Sequence, residues 1–525
     1  MIRARTLILG SAAALIAASG THAADLPVKA KAVEYVRVCS LYGAGFFYIP
    51  GTDTCIKLGG YLRVDTTFNG GAHGAPGWSG DLGQDNRYRD YFVSRSRMAL
   101  TIDTRTATEY GVVRTFGQGD FQFNNFGSSN PSVLTSGSNP LHVPGGGYVA
   151  VEYLFIQFAG FTFGKSASAY ATPWQGFPGN INSSLLGGQN TDTGINNIQY
   201  TAQFGNGVSG TIGLDDPTVW ERTAVYNLSI PGAIGANGTG SNAYAGTHAP
   251  DIVGNIRVDQ AWGLFQLSAA AHEVSGSYNT LGAGAVPNAL SEISGHPESK
   301  WGGAVMAALQ IKNIPTGAGD DIKIDASFAK GATKYVISTS SSSPNFAMFG
   351  DSGFGYQSVG FGATTDGVYF PGAAGTGGIA LTTAWGVRGA FNHNWNPYWS
   401  TSLFGSYSSV RYDGGANDNL LGAGTSTAKG AYCAAFAASH PGQTGVAGVG
   451  TYSCNPDFNV SQLGVVTRWT PVKNLTFSAE VQWFHLDQKM SGSSVFTATA
   501  PKPNALYEFK DQDTVLLQVR AQRNF

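Results

Sequence analysis

Residues 514–525 read TVLLQVRAQRNF. Val515, Leu517, Val519 and Ala521 share one face with Phe525, while Thr514, Gln518, Arg520, Gln522 and Asn524 share the other, interrupted only by Leu516. Alternation with a period of two belongs to a strand with one apolar and one polar face. Such a strand at the end of a chain needs its unpaired N–H and C=O groups covered by a neighbour. In an exported chain the leading solution is a transmembrane β-barrel closed by pairing the last strand with the first.

The same alternation recurs upstream. It marks 57–68, 92–105, 108–118, 147–159, 161–166, 195–204, 208–215 and 251–262, then 264–274, 300–312, 321–336, 382–395, 398–412, 460–470 and 475–489. With 514–525 this makes about sixteen strands, an all-β, antiparallel transmembrane barrel. The connections alternate between long and short. Long ones fall near 69–91, 119–146, 167–194, 216–250, 275–299, 337–381, 413–459 and 490–513, and tight turns lie between them. A barrel with external loops at one end and short turns at the other requires this order, whereas a propeller or sandwich does not. No convincing helix is expected after Ala24. Trp262, Trp301, Trp385, Trp399, Trp469 and Trp483 fall at or near strand ends, where interfacial aromatic girdles sit.

The amino-terminal residues read as an export signal. Arg3 and Arg5 precede an apolar stretch from Leu7 to Ala18, and Thr21-His22-Ala23 offers a small-x-small cleavage site. The expected organisation is a signal peptide over 1–23, a periplasmic segment over 24–56 and a barrel over 57–525. Removing the signal takes away two arginines and no acid, so 29 basic and 33 acidic side chains remain. That balance excludes a nucleic-acid partner. Charged residues are 12% of the chain, about half the globular norm, and the 72 glycines are about twice the usual share. Both suit a wall between lipid and water joined by long loops.

Cys39, Cys55, Cys433 and Cys454 match no zinc or redox spacing. Three connectivities are possible, of which two local bridges are the most economical in an oxidising compartment.

With the apolar parity pointing outward, Arg63, Arg95, Arg97 and Arg114 on the first three strands point inward, and Arg468 and Arg520 extend the row around the closure. On the lipid face each would cost about 2–4 kcal/mol near the midplane, whereas a wet lumen tolerates them. Such a row gives a pore a transverse field and an ion preference. The plainer alternative is a solvated wall whose charges pair with Asp65, Asp103 or Glu480. Residues 166–194, SASAYATPWQGFPGNINSSLLGGQNTDTG, carry Asp192 as their one charge. Their Trp, Phe, Leu and Pro content suits a loop packed in the barrel interior as a constriction, with a weak acidic pole opposite the arginines.

Residues 33–65 contain Tyr35-Val36-Arg37-Val38-Cys39, Tyr42-Gly43-Ala44-Gly45, Tyr48-Ile49-Pro50-Gly51-Thr52 with Thr54-Cys55, and Gly60-Tyr61. This stretch resembles the amino-terminal signature of the alphaproteobacterial porins, which include the major Brucella porins. Residues 151–170, VEYLFIQFAGFTFGKSASAY, are similar to the same family. The resemblance implies a homotrimeric, sixteen-stranded outer-membrane diffusion pore for small hydrophilic solutes and ions, with the third long loop folded into each pore. It also implies the Cys39–Cys55 pairing; the Cys433–Cys454 pairing rests on spacing alone. Expected partners are a second and third copy, outer-membrane lipid and, through Phe525, the barrel-assembly machinery. No cofactor or metal is expected. Arg523 stands where such barrels commonly carry an aromatic residue.

Other functions fit less well. An enzyme built on a barrel needs a nucleophile set or a paired acid and His at one rim; the sequence has neither GxSxG nor HExxH. A soluble adhesin would lack the loop alternation. A gated transporter would need a larger plug than residues 24–55 can form.

Overall fold

The computed structural model describes residues 37–87, 89–124, 147–280, 290–340, 343–370, 378–415, 427–440, 452–497 and 502–525. The export signal expected over 1–23 lies outside them.

Sixteen strands form one closed ring. They are β1 (Thr54–Phe68), β2 (Phe92–Thr108), β3 (Gly111–Asn124), β4 (Tyr148–Phe158), β5 (Phe161–Ser166), β6 (Ile195–Gly205), β7 (Val208–Asp215) and β8 (Asp251–Gln260). The ring continues through β9 (Gly263–Val274), β10 (Lys300–Lys312), β11 (Asp321–Lys330), β12 (Thr383–Asn396), β13 (Trp399–Arg411), β14 (Phe458–Val472), β15 (Leu475–Gln488) and β16 (Gln512–Asn524). Each is antiparallel to the next, and β16 pairs back onto β1 from Tyr61↔Asn524 to Phe68↔Leu517. Closure leaves no open edge, which a lipid environment demands of every backbone donor and acceptor. The seam ends on Gly60, whose N–H and C=O bond both ways to Phe525 at 3.2 and 3.1 Å. Gly60 has φ +149°, and a Cβ there would stand 1.9 Å from the Ala99 carbonyl oxygen, so no other residue fits between β2 and the end of β16.

Side-chain parity follows the sequence. Val515, Leu517 and Val519 are exposed on the outer face, while Gln518 and Leu516 are fully buried. All six expected girdle tryptophans are exposed. Trp385 pairs with Ser409, and Trp399 opens the same strand, β13. Roughly ten residues at ~3.4 Å, tilted by about 40°, separate the two aromatic levels by about 25 Å, the height of an apolar band in such walls. Arg523, on the outer parity, donates from Nη1 to the Lys473 carbonyl and so caps the β14–β15 turn.

The long connections carry structure of their own. A five-stranded sheet joins Phe346–Gly350, Gln357–Gly362, Asn504–Phe509, Ser491–Thr497 and Tyr452–Ser453, and a three-stranded one joins Ile379–Leu381, Gly367–Tyr369 and Val225–Asn227. The largest apolar cluster lies here, around Trp78, Tyr226, Phe346, Phe361, Tyr432, Phe436, Phe458 and Phe509.

Two expectations need correction. The strand expected over 321–336 stops at Lys330, because Gly331 turns the chain with φ +69° into a 3-10 turn, Thr333–Tyr335. A helix, Ala428–Ala438, follows Ala24 after all. Alanine-rich sequence favours it, and the Thr427 side chain caps it by accepting from the Gly430 N–H at 3.2 Å. Cys433 on this helix is bridged to Cys454, and Cys39 to Cys55, which settles the connectivity as two local loops.

Candidate functional site

Register places the arginines. Across the seam, Arg520 of β16, Asp65 of β1 and Arg95 of β2 stand in one row. Asp65 accepts from both guanidiniums, from Arg95 Nε and Nη2 at 2.9 and 2.5 Å and from Arg520 Nε at 2.5 Å. The next row is Gln522, Arg63, Arg97, Gln122 and Tyr148. Arg63 and Arg97 are thus directly opposed, a repulsive cross-strand pair unless each is turned aside. Arg97 turns to Asp120 at 2.5 Å and Glu152 at 3.2 Å. Arg63 lies 4.4 Å over the Tyr61 ring and donates to Gln522 at 2.8 Å; among the described residues it forms no ion pair. The positive character of this wall therefore rests most on Arg63 and on one carboxylate shared by two arginines.

Residues 167–194 join β5 to β6 yet bond to strands on the far side of the ring. Glu480 of β15, fully buried, accepts from Ile181 N at 2.5 Å, Asn182 N at 3.3 Å and Asn182 Nδ2 at 2.5 Å. Gln462 of β14 accepts from Leu186 N at 2.8 Å and donates to the Ser184 carbonyl at 2.8 Å. Arg388 of β12, 1% exposed, binds Asp325 at 2.9 Å and donates to the carbonyls of Leu185, Gly188 and Gln189 at 3.4, 3.1 and 2.6 Å. The other oxygen of Asp325 accepts from Trp174 Nε1 at 2.7 Å. Ile181 and Leu185 pack against Ala390, Phe404 and Val466. The first long connection adds a strut, since the His73 carbonyl accepts from Ser183 N and Oγ at 3.1 and 3.0 Å. Gly74 makes the approach possible, because a Cβ there would lie 2.5 Å from the Asn182 Cβ.

A cavity of about 430 Å³ lies on the arginine side, between Arg63, Arg95, Arg97 and Arg520 on the wall and Phe177, Ile181, Ser183 and Asp192 on the loop. Of the residues expected to line a pore, Arg114 and Arg468 do not reach this cavity. Arg114 pairs with Asp103 near the β2–β3 turn, and Arg468 donates to Ser402 and to the Gly179 carbonyl, holding the loop from below. Glu480 anchors the loop and forms no ion pair with the arginine row. Arg388 and Asp325 escaped the sequence reading, although both sit on the polar parity of strands it identified. Lys165 and Glu152 also line the cavity, and Lys165 donates to the carbonyls of Glu152 and Gly194 at 3.1 Å. No cluster of three metal-ligating side chains occurs among the described residues.

Asp192 brings the loop's one charge to the cavity. Burial pushes the Asp192 carboxyl above its ordinary range. Burial, with Arg95 and Arg97 nearby, holds the His73 imidazole down at about 3, so it stays neutral across ordinary pH. A raised carboxyl takes up its proton before surface carboxylates do as pH falls, and the cavity becomes more positive. Anion preference is expected to rise between neutral pH and about pH 4. D192N should show at neutral pH part of the preference that the wild type gains in acid, the rest belonging to Glu152 on the same cavity. Reversal potentials across a salt gradient read this directly; a D192N pore with the full wild-type pH response would refute it.

A closed sixteen-strand ring with aromatic levels at both ends and a polar inner face defines a transmembrane β-barrel. The chain belongs to the porin subfamily, whose family model matches residues 25–518. It is 33% identical over 262 residues to Porin Omp2b of Brucella suis, covering 49% of this chain and 64% of that one. It is 34% identical over 269 residues to Porin Omp2b of Brucella abortus (strain 2308), covering 49% and 63%. The match thus spans a little under two thirds of these relatives' own length. Among solved structures, the fold is similar to that of the outer membrane channel DcaP of Acinetobacter baumannii, with a TM-score of 0.54 and 14% identity over 91% of this chain and 99% of that one. Membership of the family places the protein in the outer membrane.

Proposed function

We propose that the protein is a passive diffusion pore for small hydrophilic solutes and ions, with residues 167–194 folded into the barrel as its constriction. The observation that carries this reading is the anchoring of that segment to β12, β14 and β15, which leaves its opening along the arginine wall. Solutes are sorted by size at the cavity and by charge through Arg63, Arg95, Arg97 and Arg520, with Asp192 as a small opposing pole. No step of chemistry is performed. The working unit is a homotrimer in outer-membrane lipid. Residues 1–23 are removed on export, residues 24–56 stay periplasmic, and Phe525 presents the barrel to the assembly machinery.

Planar-bilayer recording tests the reading. Purified protein is expected to give stable, stepwise conductance, with steps arriving in threes. Protein that inserts with a folded, heat-modifiable barrel and never conducts would overturn it.

A further inference from the structure

The cavity beside residues 167–194 is lined by guanidiniums of the wall and by apolar groups from two connections. Phe177 and Ile181 come from the loop itself, and Val219 and Trp220 from a single helical turn, Pro217–Trp220, that follows β7. Val219 is 61% exposed, and Phe177 and Trp220 are half-buried. The turn is held by Asp216, which accepts from the Thr218 N–H at 2.9 Å. The Trp220 ring is backed by buried Lys334, whose Nζ stands 5.5 Å from its centroid. A sieve for hydrated ions has no use for such groups, since each Å² of apolar surface left in water costs about 25 cal/mol. Rings and apolar chains beside cations call for an occupant with both characters.

Five cationic side chains line the cavity against three carboxylates. Most are committed to the wall. Arg95 and Arg520 share Asp65, and Arg97 is held by Asp120 and Glu152. Arg63 differs. Its Nε donates to Gln522 at 2.8 Å and its carbon lies over the Tyr61 ring, while Nη1 and Nη2 have no partner among the described residues. Its half-buried guanidinium thus offers coplanar N–H groups to the cavity, and such a fork matches the two oxygens of a carboxylate. The volume of about 430 Å³ falls in the range of small-molecule sites.

We propose, resting on the pore reading above, that this cavity binds aromatic carboxylates in passage, with the carboxylate on Arg63 and the ring among Phe177, Ile181 and Trp220. An inorganic anion would use the cation and leave the rings idle. A neutral sugar would use the rings and leave the spare cation idle.

The test uses the full-length protein in planar bilayers in potassium chloride, with phenylacetate as the probe and acetate, 2-phenylethanol and maltose as controls. Phenylacetate should interrupt the current with saturation, and the three controls should not. R63Q should raise the half-blocking concentration about ten-fold through loss of a charge-assisted pair. R63K should fall between R63Q and wild type, because it keeps the charge and loses the fork. F177A and W220A should each raise it about five-fold through loss of ring contact. Heat-modifiable mobility shows that each variant folds. Calorimetric titration of the same probes into detergent-solubilised protein reads the site independently of conduction. Normal chloride conductance with equal responses to phenylacetate and acetate, interruption by maltose alone, or wild-type values in R63Q and F177A would each overturn the site and leave the pore standing. Phenylacetate binding by a protein that never conducts would overturn the pore and uphold the site.

Discussion

Replacing Arg388 with alanine is expected to destabilise the barrel by about 3–5 kcal/mol, because it strands a buried carboxylate. Asp325 is fully buried and has Arg388 as its cationic partner at 2.9 Å. The same substitution orphans three loop carbonyls, those of Leu185, Gly188 and Gln189. Residues 167–194 should then come away from β12, and single-channel records should show larger, noisier openings. Thermal unfolding followed by gel mobility, together with conductance, reads both effects. Pairing R388M with D325N should recover much of the stability, since the uncompensated charge is then gone and Trp174 keeps an acceptor. An R388A protein with wild-type melting and conductance would show that the anchor is held elsewhere, through Glu480 and Gln462.

The R95Q/R97Q double substitution is expected to shift selectivity strongly toward cations. Both side chains line the cavity, and their removal leaves Asp120 and Glu152 without Arg97, and Asp65 with Arg520 alone. Two charges lost within several ångströms of a permeating ion change its energy by about 1–2 kcal/mol in a watery lumen, roughly ten-fold in the anion-to-cation permeability ratio. The reversal potential across a salt gradient measures this. An unchanged value would remove both arginines from the ion path.

Much of the wall was legible because a strand repeats every two residues. Alternation located all sixteen strands, and the long and short connections oriented them. The seam was legible as well, since β16 carries both the apolar stripe and Arg520. The sequence did not reveal which arginines share a partner. Asp65 bridges Arg95 and Arg520 through register across the seam, and register between strands hundreds of residues apart leaves no local trace. Arg388 was hidden for another reason. It lies on the correct parity, but its role depends on carbonyls of a loop that joins other strands. The helix carrying Cys433 was overlooked because alanine-rich sequence among glycine-rich loops carries little amphipathic signal.

The loop cluster around Phe346, Phe361, Tyr432 and Phe436 has a thermodynamic consequence. A barrel wall buries its apolar surface in lipid, whereas this cluster buries its own against itself in water, as a small globular domain does. Its melting should carry the positive heat-capacity change that accompanies hydration of apolar groups, and it should weaken on cooling as well as on heating. The molecule then has two kinds of stability stacked end to end, a wall governed by the bilayer and a cap governed by water, and calorimetry should see them as separate events.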